Sequence, residues 1–236
     1  MTRAPFVSVD SMDATQGSSP VTPSGTVPHA DAAVNSQHPH LVETGLSSRD
    51  MLRGDFLHAR HDTVRLPDGG EATREYVVHP GAVMVIPLLA DDKGELRVVL
   101  ERQFRYPVGR VMIEFPAGKL DPGEDLLHCA MRELREETGY RAREWAHAGV
   151  LHPVVAYSTE FIDIWFARGL TMGERQLDAG EFLDVFSATP DELAHWCRAG
   201  QVTDGKTLAG MLWLQNMLAG AWSLHWRSNN DAGAAG

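Results

Sequence analysis

GKLDPGEDLLHCAMRELREETGY, running from Gly118 to Tyr140, is the stretch on which the reading of this chain turns. Its fixed points are Gly118, then Glu124, then the run Arg132-Glu133-Leu134-Arg135-Glu136-Glu137-Thr138-Gly139 closed by Tyr140. Leu126, Leu127, Ala130, Met131 and Leu134 recur at helical spacing and predict one apolar face. Pro122 and Gly123 lead in through a turn, and Gly139 stops the helix as a C-terminal cap does. Glu133, Glu136 and Glu137 stand at i, i+3 and i+4, so three carboxylates share one side of the helix. Like charges so placed cost about 0.2–0.5 kcal/mol per pair. A divalent cation relieves them, and Mg²⁺ suits carboxylate oxygens while keeping positions open for substrate phosphates. A solvated amphipathic helix would explain the apolar face but not the turn-rich lead-in. The loop–helix–loop unit therefore reads as a metal site.

Composition sets the bounds. With 236 residues and 43% apolar content the chain can bury one good core, with length left for a tail or a small second unit. A formal charge of -11 and a pI near 5.4 argue against a nucleic-acid partner, which would favour a basic face. Cys129 and Cys197 fall in helical apolar patterns and read as reduced core thiols, without a disulfide framework. No apolar run approaches the ~20 residues of a membrane span. The N-terminus lacks a charged start followed by an apolar core, so it does not read as a secretory signal. The expectation is a cytoplasmic protein with no membrane contact.

Residues 1–45 are rich in Ser, Thr, Pro, Ala, Asp and Gly and read as a disordered tail. His29, His38 and His40 lie in it as chance histidines rather than a metal site. A small antiparallel unit is expected over residues 49–79. Phe56-Leu57-His58-Ala59-Arg60 and Asp62-Thr63-Val64-Arg65-Leu66 form two short strands or one bent one, and Pro67-Asp68-Gly69-Gly70 turns into a strand from Thr73 to His79. The main domain is expected over 80–226, with residues 227–236 as a flexible end. Ala82 to Leu89 is a nearly continuous apolar run, the mark of a strand covered on both faces. Asp91-Asp92-Lys93-Gly94 turns into a strand from Glu95 to Glu101, and Val111 to Phe115 is another. Trp145–Leu151, Glu160–Ala167 and Phe182–Phe186 continue the β pattern. A helix capped by Thr189 or Asp191 runs through Ala199, and a last one runs from about Lys206 to Trp222. Strands, a helix, more strands and then helices give an α/β class fold, an α/β/α sandwich around a mixed sheet.

The Gly118–Tyr140 stretch resembles the Nudix box, G-x5-E-x7-R-E-U-x-E-E-x-G-U with U bulky and apolar, and every fixed position is filled. Tyr140 is aromatic where the family usually has an aliphatic residue. Arg102-Gln103-Phe104-Arg105-Tyr106-Pro107 and Glu114-Phe115-Pro116-Ala117-Gly118 look like the ADP-ribose pyrophosphatase branch. So do Arg74-Glu75-Tyr76 with His79-Pro80-Gly81-Ala82, Gly180-Glu181-Phe182, and Asp204-Gly205-Lys206-Thr207. The resemblance covers about residues 50–225 and implies the Nudix α/β/α sandwich.

The same resemblance implies a ligand set and a reaction. Metal would be held by Glu133, Glu137 and Glu136 with the backbone carbonyl of Ala117, as Mg²⁺ or alternatively Mn²⁺. Gly118 and Gly139 shape the motif, and Glu124 with Arg132 is a structural ion pair. Arg105 and Arg74 match positions on the diphosphate side of the substrate, where a planar guanidinium suits phosphate oxygens. Arg102 and Arg110 read as ordinary surface or ion-pair arginines. Glu114 meets the terminal ribose or a metal-bound water, or else simply points outward from an alternating strand. The base comes from the loop Thr171 to Gly180, with Glu174, Asp178 and Glu181 at hand and Glu181 matching best; Glu136 and Glu160 are the other catalytic carboxylates. The branch commonly has a proline where this chain carries Val155, within His152-Pro153-Val154-Val155, which loosens the choice of nucleotide sugar. The expected reaction is hydrolysis of ADP-ribose to AMP and ribose 5-phosphate, with GDP-mannose or another nucleotide sugar as the alternative. A ligand sensor on the same fold would carry a degraded box, and a prenyl diphosphate isomerase would want its cysteine in a strand before the box. Finally, the resemblance implies a homodimer that exchanges the N-terminal strands, with Phe56 stacking on the base or making a plain hydrophobic contact.

Overall fold

The computed structural model of the protein describes residues 32–90, 93–177 and 179–228. Residues 1–31 of the expected tail lie outside the described residues, as do His29, the Asp91-Asp92 pair, Asp178 and residues 229–236. The described chain runs α1 (Ala32–Gln37), a 3₁₀ turn (Pro39–Leu41), β1 (Thr44–Arg53), β2 (His58–Arg65), β3 (Glu71–Val78), β4 (Ala82–Ala90) and β5 (Leu96–Arg105). It continues through β6 (Arg110–Glu114), β7 (Ala117–Lys119), α2 (Leu126–Thr138), β8 (Tyr140–Arg141), β9 (Glu144–Leu151) and β10 (Ile162–Arg168). Then come β11 (Thr171–Met172), β12 (Leu183–Ala188), α3 (Pro190–Arg198), α4 (Gly205–Leu218) and β13 (Arg227–Ser228).

The large sheet follows the order β12-β5-β4-β10-β9-β13, with β6 beside β5 and β7 beside β4. β4 and β10 are parallel and their other neighbours antiparallel, so the sheet is mixed. β4 takes the centre because both of its faces are apolar. Ala82, Met84 and Ile86 join Leu100, Phe115, Ile164, Phe166, Leu193, Met211 and Leu214 in the core under α3 and α4. Val83 and Val85 join Leu127, Ala130, Leu134 and Trp165 in the core under α2. This is the expected α/β/α sandwich. Each fully buried Leu, Ile or Phe in these layers is worth about 1.5–3 kcal/mol. Gly210 lets α4 lie close, since a Cβ there would come 2.9 Å from both Met84 Cε and Phe115 Cε2.

The helix ends follow local chemistry. Asp125 caps α2 by accepting from the N–H groups of Leu127 and His128. Of the two residues offered for α3, Thr189 is the cap, in a reciprocal pairing with Glu192. Asp204 caps α4, which stops at Leu218, short of Trp222.

The N-terminal sheet β1-β2-β3 is separate, tied to the main domain by a bridge between Val77 and Ser158. β1 begins at Thr44, inside the stretch read as tail. Its side chains bury little, so apolar periodicity could not reveal it. Backbone pairing to β2 holds it instead, with the Ser48 hydroxyl donating to Asp62 and His58 bonded to Asp50 at 2.7 Å. Phe56 and Leu57 are not in a strand; they sit in a turn closed by Gly54 N–H to Leu57 O at 2.8 Å, and β2 is a single strand. β13 lies in the segment read as flexible, pairing Arg227 with Trp145 of β9.

Candidate active site

α2 turns its apolar face to the sheet and its carboxylates toward β7. Gly118 of β7 is what allows this: a Cβ there would fall on the carboxyl group of Glu133. Glu133 thus lies directly on the strand backbone. One turn on, buried Glu137 accepts the Ala117 N–H at 3.0 Å. The Glu133 and Glu137 side chains both meet the three-residue strand that enters the helix. Gly139 then ends α2 in the left-handed region at φ 78°, with its N–H on Arg135 O at 2.8 Å.

Arg132 holds the lead-in loop to the helix. Its Nε and Nη2 each donate to Glu124 at 2.8 Å, and Nη2 also reaches Lys119 O at 3.1 Å. This bidentate grip holds the Glu124 carboxyl down to about 2. Arg132 Nη1 goes on to Glu133 at 2.7 Å and Glu136 at 3.3 Å. Glu136 is further engaged by Arg135, so arginines meet both of its oxygens.

A second network closes the site from the sheet. Arg105 donates twice to Glu114, 2.8 Å each way, and Lys206 at the start of α4 pairs with the same carboxylate. Lys206 also reaches Asp204 at 3.1 Å, and the Thr207 hydroxyl donates to Asp204 while accepting Phe115 N–H. Glu114 is therefore buried rather than pointed outward. Burial resists its charge, but Arg105 and Lys206 outweigh that and lower its pKa. Glu101, opposite Glu114 in the β5–β6 register, is also buried, and both of its oxygens lack a hydrogen-bond partner.

Burial pushes three of these acids toward the neutral form. Glu101 rises to about 7, first through desolvation and then through Glu114. Glu133 also rises to about 7, chiefly by desolvation. Glu137 rises well above its ordinary value through desolvation, then Glu101, Glu133 and Glu181. Glu181, just before β12, adds a smaller push in the same direction to all three.

The other expected residues divide. Glu160 meets His79 at 3.9 Å; His79 packs edge-on to Phe56, and the Lys119 ammonium lies 4.4 Å over the Phe56 ring. Phe56 and Glu160 therefore stand near the box of their own chain. Arg74 does not reach it: among the described residues it is bound to Glu43 and to the Thr73 carbonyl. Arg102 lies over Phe186 at 3.7 Å, and Arg110 bonds Thr203. The sequence reading missed Glu101 and the part played by Lys206. The available signal for Glu101 was a lone carboxylate directly after Val98-Val99-Leu100 in a strand.

The donors suit a hard divalent cation. They are carboxylates, one holding a single hydrogen bond (Glu137) and one holding none (Glu101). Among the described residues no three His, Cys, Asp or Glu groups already stand close enough to hold an ion, and arginines engage Glu133 and Glu136. A cavity of about 420 Å³ behind the end of α2, lined by Val99, Thr138, Tyr140, Met172, Arg175 and Phe186 among others, contains none of the box carboxylates.

The chain is similar to known proteins in both sequence and fold. The NUDIX domain family matches residues 78–209, and the nucleoside diphosphate sugar hydrolase N-terminal domain matches residues 43–77. A methanol dehydrogenase activator of Bacillus methanolicus is 35% identical over 177 residues, covering 73% of this chain and 92% of that one. An ADP-ribose pyrophosphatase of Bacillus subtilis is 33% identical over 177 residues, covering 74% and 94%. A solved structure of an ADP compounds hydrolase superposes with a TM-score of 0.68 at 21% identity, over 77% of this chain and 97% of that one.

Two outcomes are expected. Gly118→Ala should cut turnover at least tenfold while shifting the melting temperature by only a few degrees, because it displaces Glu133 and little else. Steady-state kinetics with calorimetry checks this, and unchanged turnover would contradict the seating of Glu133. Secondly, Glu101, Glu133 and Glu137 all bind protons more tightly folded than unfolded. Between the ordinary value of 4.5 and about 7 the native state therefore holds more protons, and stability falls as pH rises. Melting of the protein in EDTA across that window should show the decline, and added divalent metal should flatten it.

Proposed function

Since this chain belongs to the Nudix family, we propose that it hydrolyses the diphosphate bond of a nucleoside diphosphate sugar, with ADP-ribose as substrate and AMP and ribose 5-phosphate as products. The observation that carries the reading is the seating of Glu133 on Gly118 and of Glu137 on the Ala117 N–H. The adjoining match to a nucleoside diphosphate sugar hydrolase N-terminal domain supports the substrate class, and relatives named ADP-ribose pyrophosphatase support the sugar.

Glu133 and Glu137, with the Ala117 carbonyl, would hold the divalent metal, which is Mg²⁺ with Mn²⁺ as its substitute. When bound, the metal neutralises diphosphate charge and makes water a better nucleophile. The protein's own side chains do the rest. Arg132 fixes the loop through Glu124, so Gly118 and Glu133 keep their contact. Glu181, on the loop before β12, takes the proton of the attacking water, with Glu160 and Glu136 as supporting carboxylates. Arg105 directs its guanidinium to the diphosphate while Lys206 keeps Glu114 charged in its place. Attack is in line at one phosphorus and the opposite phosphate oxygen leaves.

Residues 43–77 supply the second half of the proposal, a homodimer. Phe56, Leu57, Met51 and Leu52 are all exposed on this small unit, and a closed two-fold pair is the commonest way to cover such a surface. The partner's sheet would bring Arg74 to the diphosphate, a place it does not reach within one chain.

The protein with Mg²⁺ should convert ADP-ribose to AMP and ribose 5-phosphate, read by chromatography, and GDP-mannose should react more slowly. Glu137→Gln should lower kcat by orders of magnitude with the fold intact; turnover near wild type at saturating Mg²⁺ would remove Glu137 from the metal set. Light scattering should give about twice the 25.9 kDa chain mass, and a fully active monomer would refute the shared site.

A further inference from the structure

Glu101 sits in the middle of β5 with no exposed surface, and neither carboxylate oxygen has a hydrogen-bond partner among the described residues. Alternation along the strand decides where it points. Val98 and Leu100 enter the core under α3 and α4, so Glu101 and Val99 face the opposite side, toward α2. There it stands across from Glu114 in the β5–β6 register and acts on Glu137. The cations that act on it, Lys206 and Arg105, are both bound to Glu114.

An unpartnered buried carboxylate is costly in either protonation state. As an anion it faces Glu114 and Glu137; as an acid its O–H has no acceptor among the described residues. A hard cation would satisfy both oxygens and the like charges around them. We propose that Glu101 is a further ligand of the divalent metal, approaching from the sheet while Glu133 and Glu137 approach from the helix. The inference rests on the metal-dependent reading of α2 and adds a carboxylate that lies outside the Gly118–Tyr140 motif. It also gives β5 a reason to carry a charge beside Val98-Val99-Leu100.

The test uses Mn²⁺ as the probe. Binding is followed by the paramagnetic resonance signal of free Mn²⁺ and by calorimetry, in the wild-type protein and in Glu101→Gln, Glu101→Asp and Glu137→Gln. Circular dichroism checks the fold. Glu101→Gln should weaken Mn²⁺ binding about tenfold or more, the scale at which even outer-shell changes act, and Glu101→Asp should fall between it and wild type. Without metal, Glu101→Gln should melt above wild type, because a like charge is gone. Wild-type Mn²⁺ affinity in Glu101→Gln, alongside weakened binding in Glu137→Gln, would overturn the Glu101 assignment and leave the box reading standing. A raised melting temperature with unchanged affinity would overturn it equally, since it marks a purely structural acid. If Glu101→Gln does not fold, Glu101→Asp decides, and wild-type affinity there refutes the assignment. Failure of the wild-type protein to bind Mn²⁺ at all would overturn both readings.

Discussion

Negative charge held out of water is the constraint around which this molecule is arranged. Glu101, Glu114 and Glu137 are buried, and Glu133 is nearly so, on the α2 side of one sheet. A carboxylate loses several kcal/mol of solvation on such burial unless something replaces the water. The protein answers in two ways. Glu114 receives two cations and keeps its charge, whereas Glu101, Glu133 and Glu137 are driven toward their protonated forms. That contrast separates a carboxylate already paired with cations from three that lack enough counter-charge. Perturbed groups gathered on one wall are what a reaction centre requires.

The paired part is built from arginine and lysine. Arg132 joins loop to helix, and Lys206 joins the start of α4 to the end of β6. Asp204 serves twice, capping α4 and holding Lys206. Helix capping and electrostatics are therefore coupled: moving the start of α4 would move the cation that keeps Glu114 ionised. Close packing of α4 at Gly210 on Met84 and Phe115 fixes that start further.

The N-terminal sheet is governed by different forces. Its strands pair through the backbone and polar side chains, buried Asp62 among them, and it meets the main domain at the Val77–Ser158 bridge, the His79–Thr159 bonds and the Phe56–Lys119 contact. The apolar side chains of its turn, Phe56 and Leu57, stay exposed. Such a unit gains most from a second surface, which is the physical ground for proposing a dimer.

Much of the fold could be read along the chain. The run Ala82–Leu89 announced a central strand, and the spacing from Gly118 to Gly139 gave the helix, its cap and its carboxylates, because helix periodicity is a local property. β1 was hidden, since a strand held by backbone pairing leaves no apolar signature. β7 was hidden because three residues are too few for a pattern. The roles of Glu114 and Glu101 were hidden for a deeper reason. Whether a strand carboxylate is solvated or buried depends on which helix covers that face, and α2 and α4 arrive from far along the sequence. The sequence by itself determined that Glu133, Glu136 and Glu137 share a helix side. Only the tertiary structure decided that Glu136 is taken up by arginines, that Glu137 is buried on Ala117, and that Glu101 joins the wall, because burial and Coulomb forces depend on distance in space.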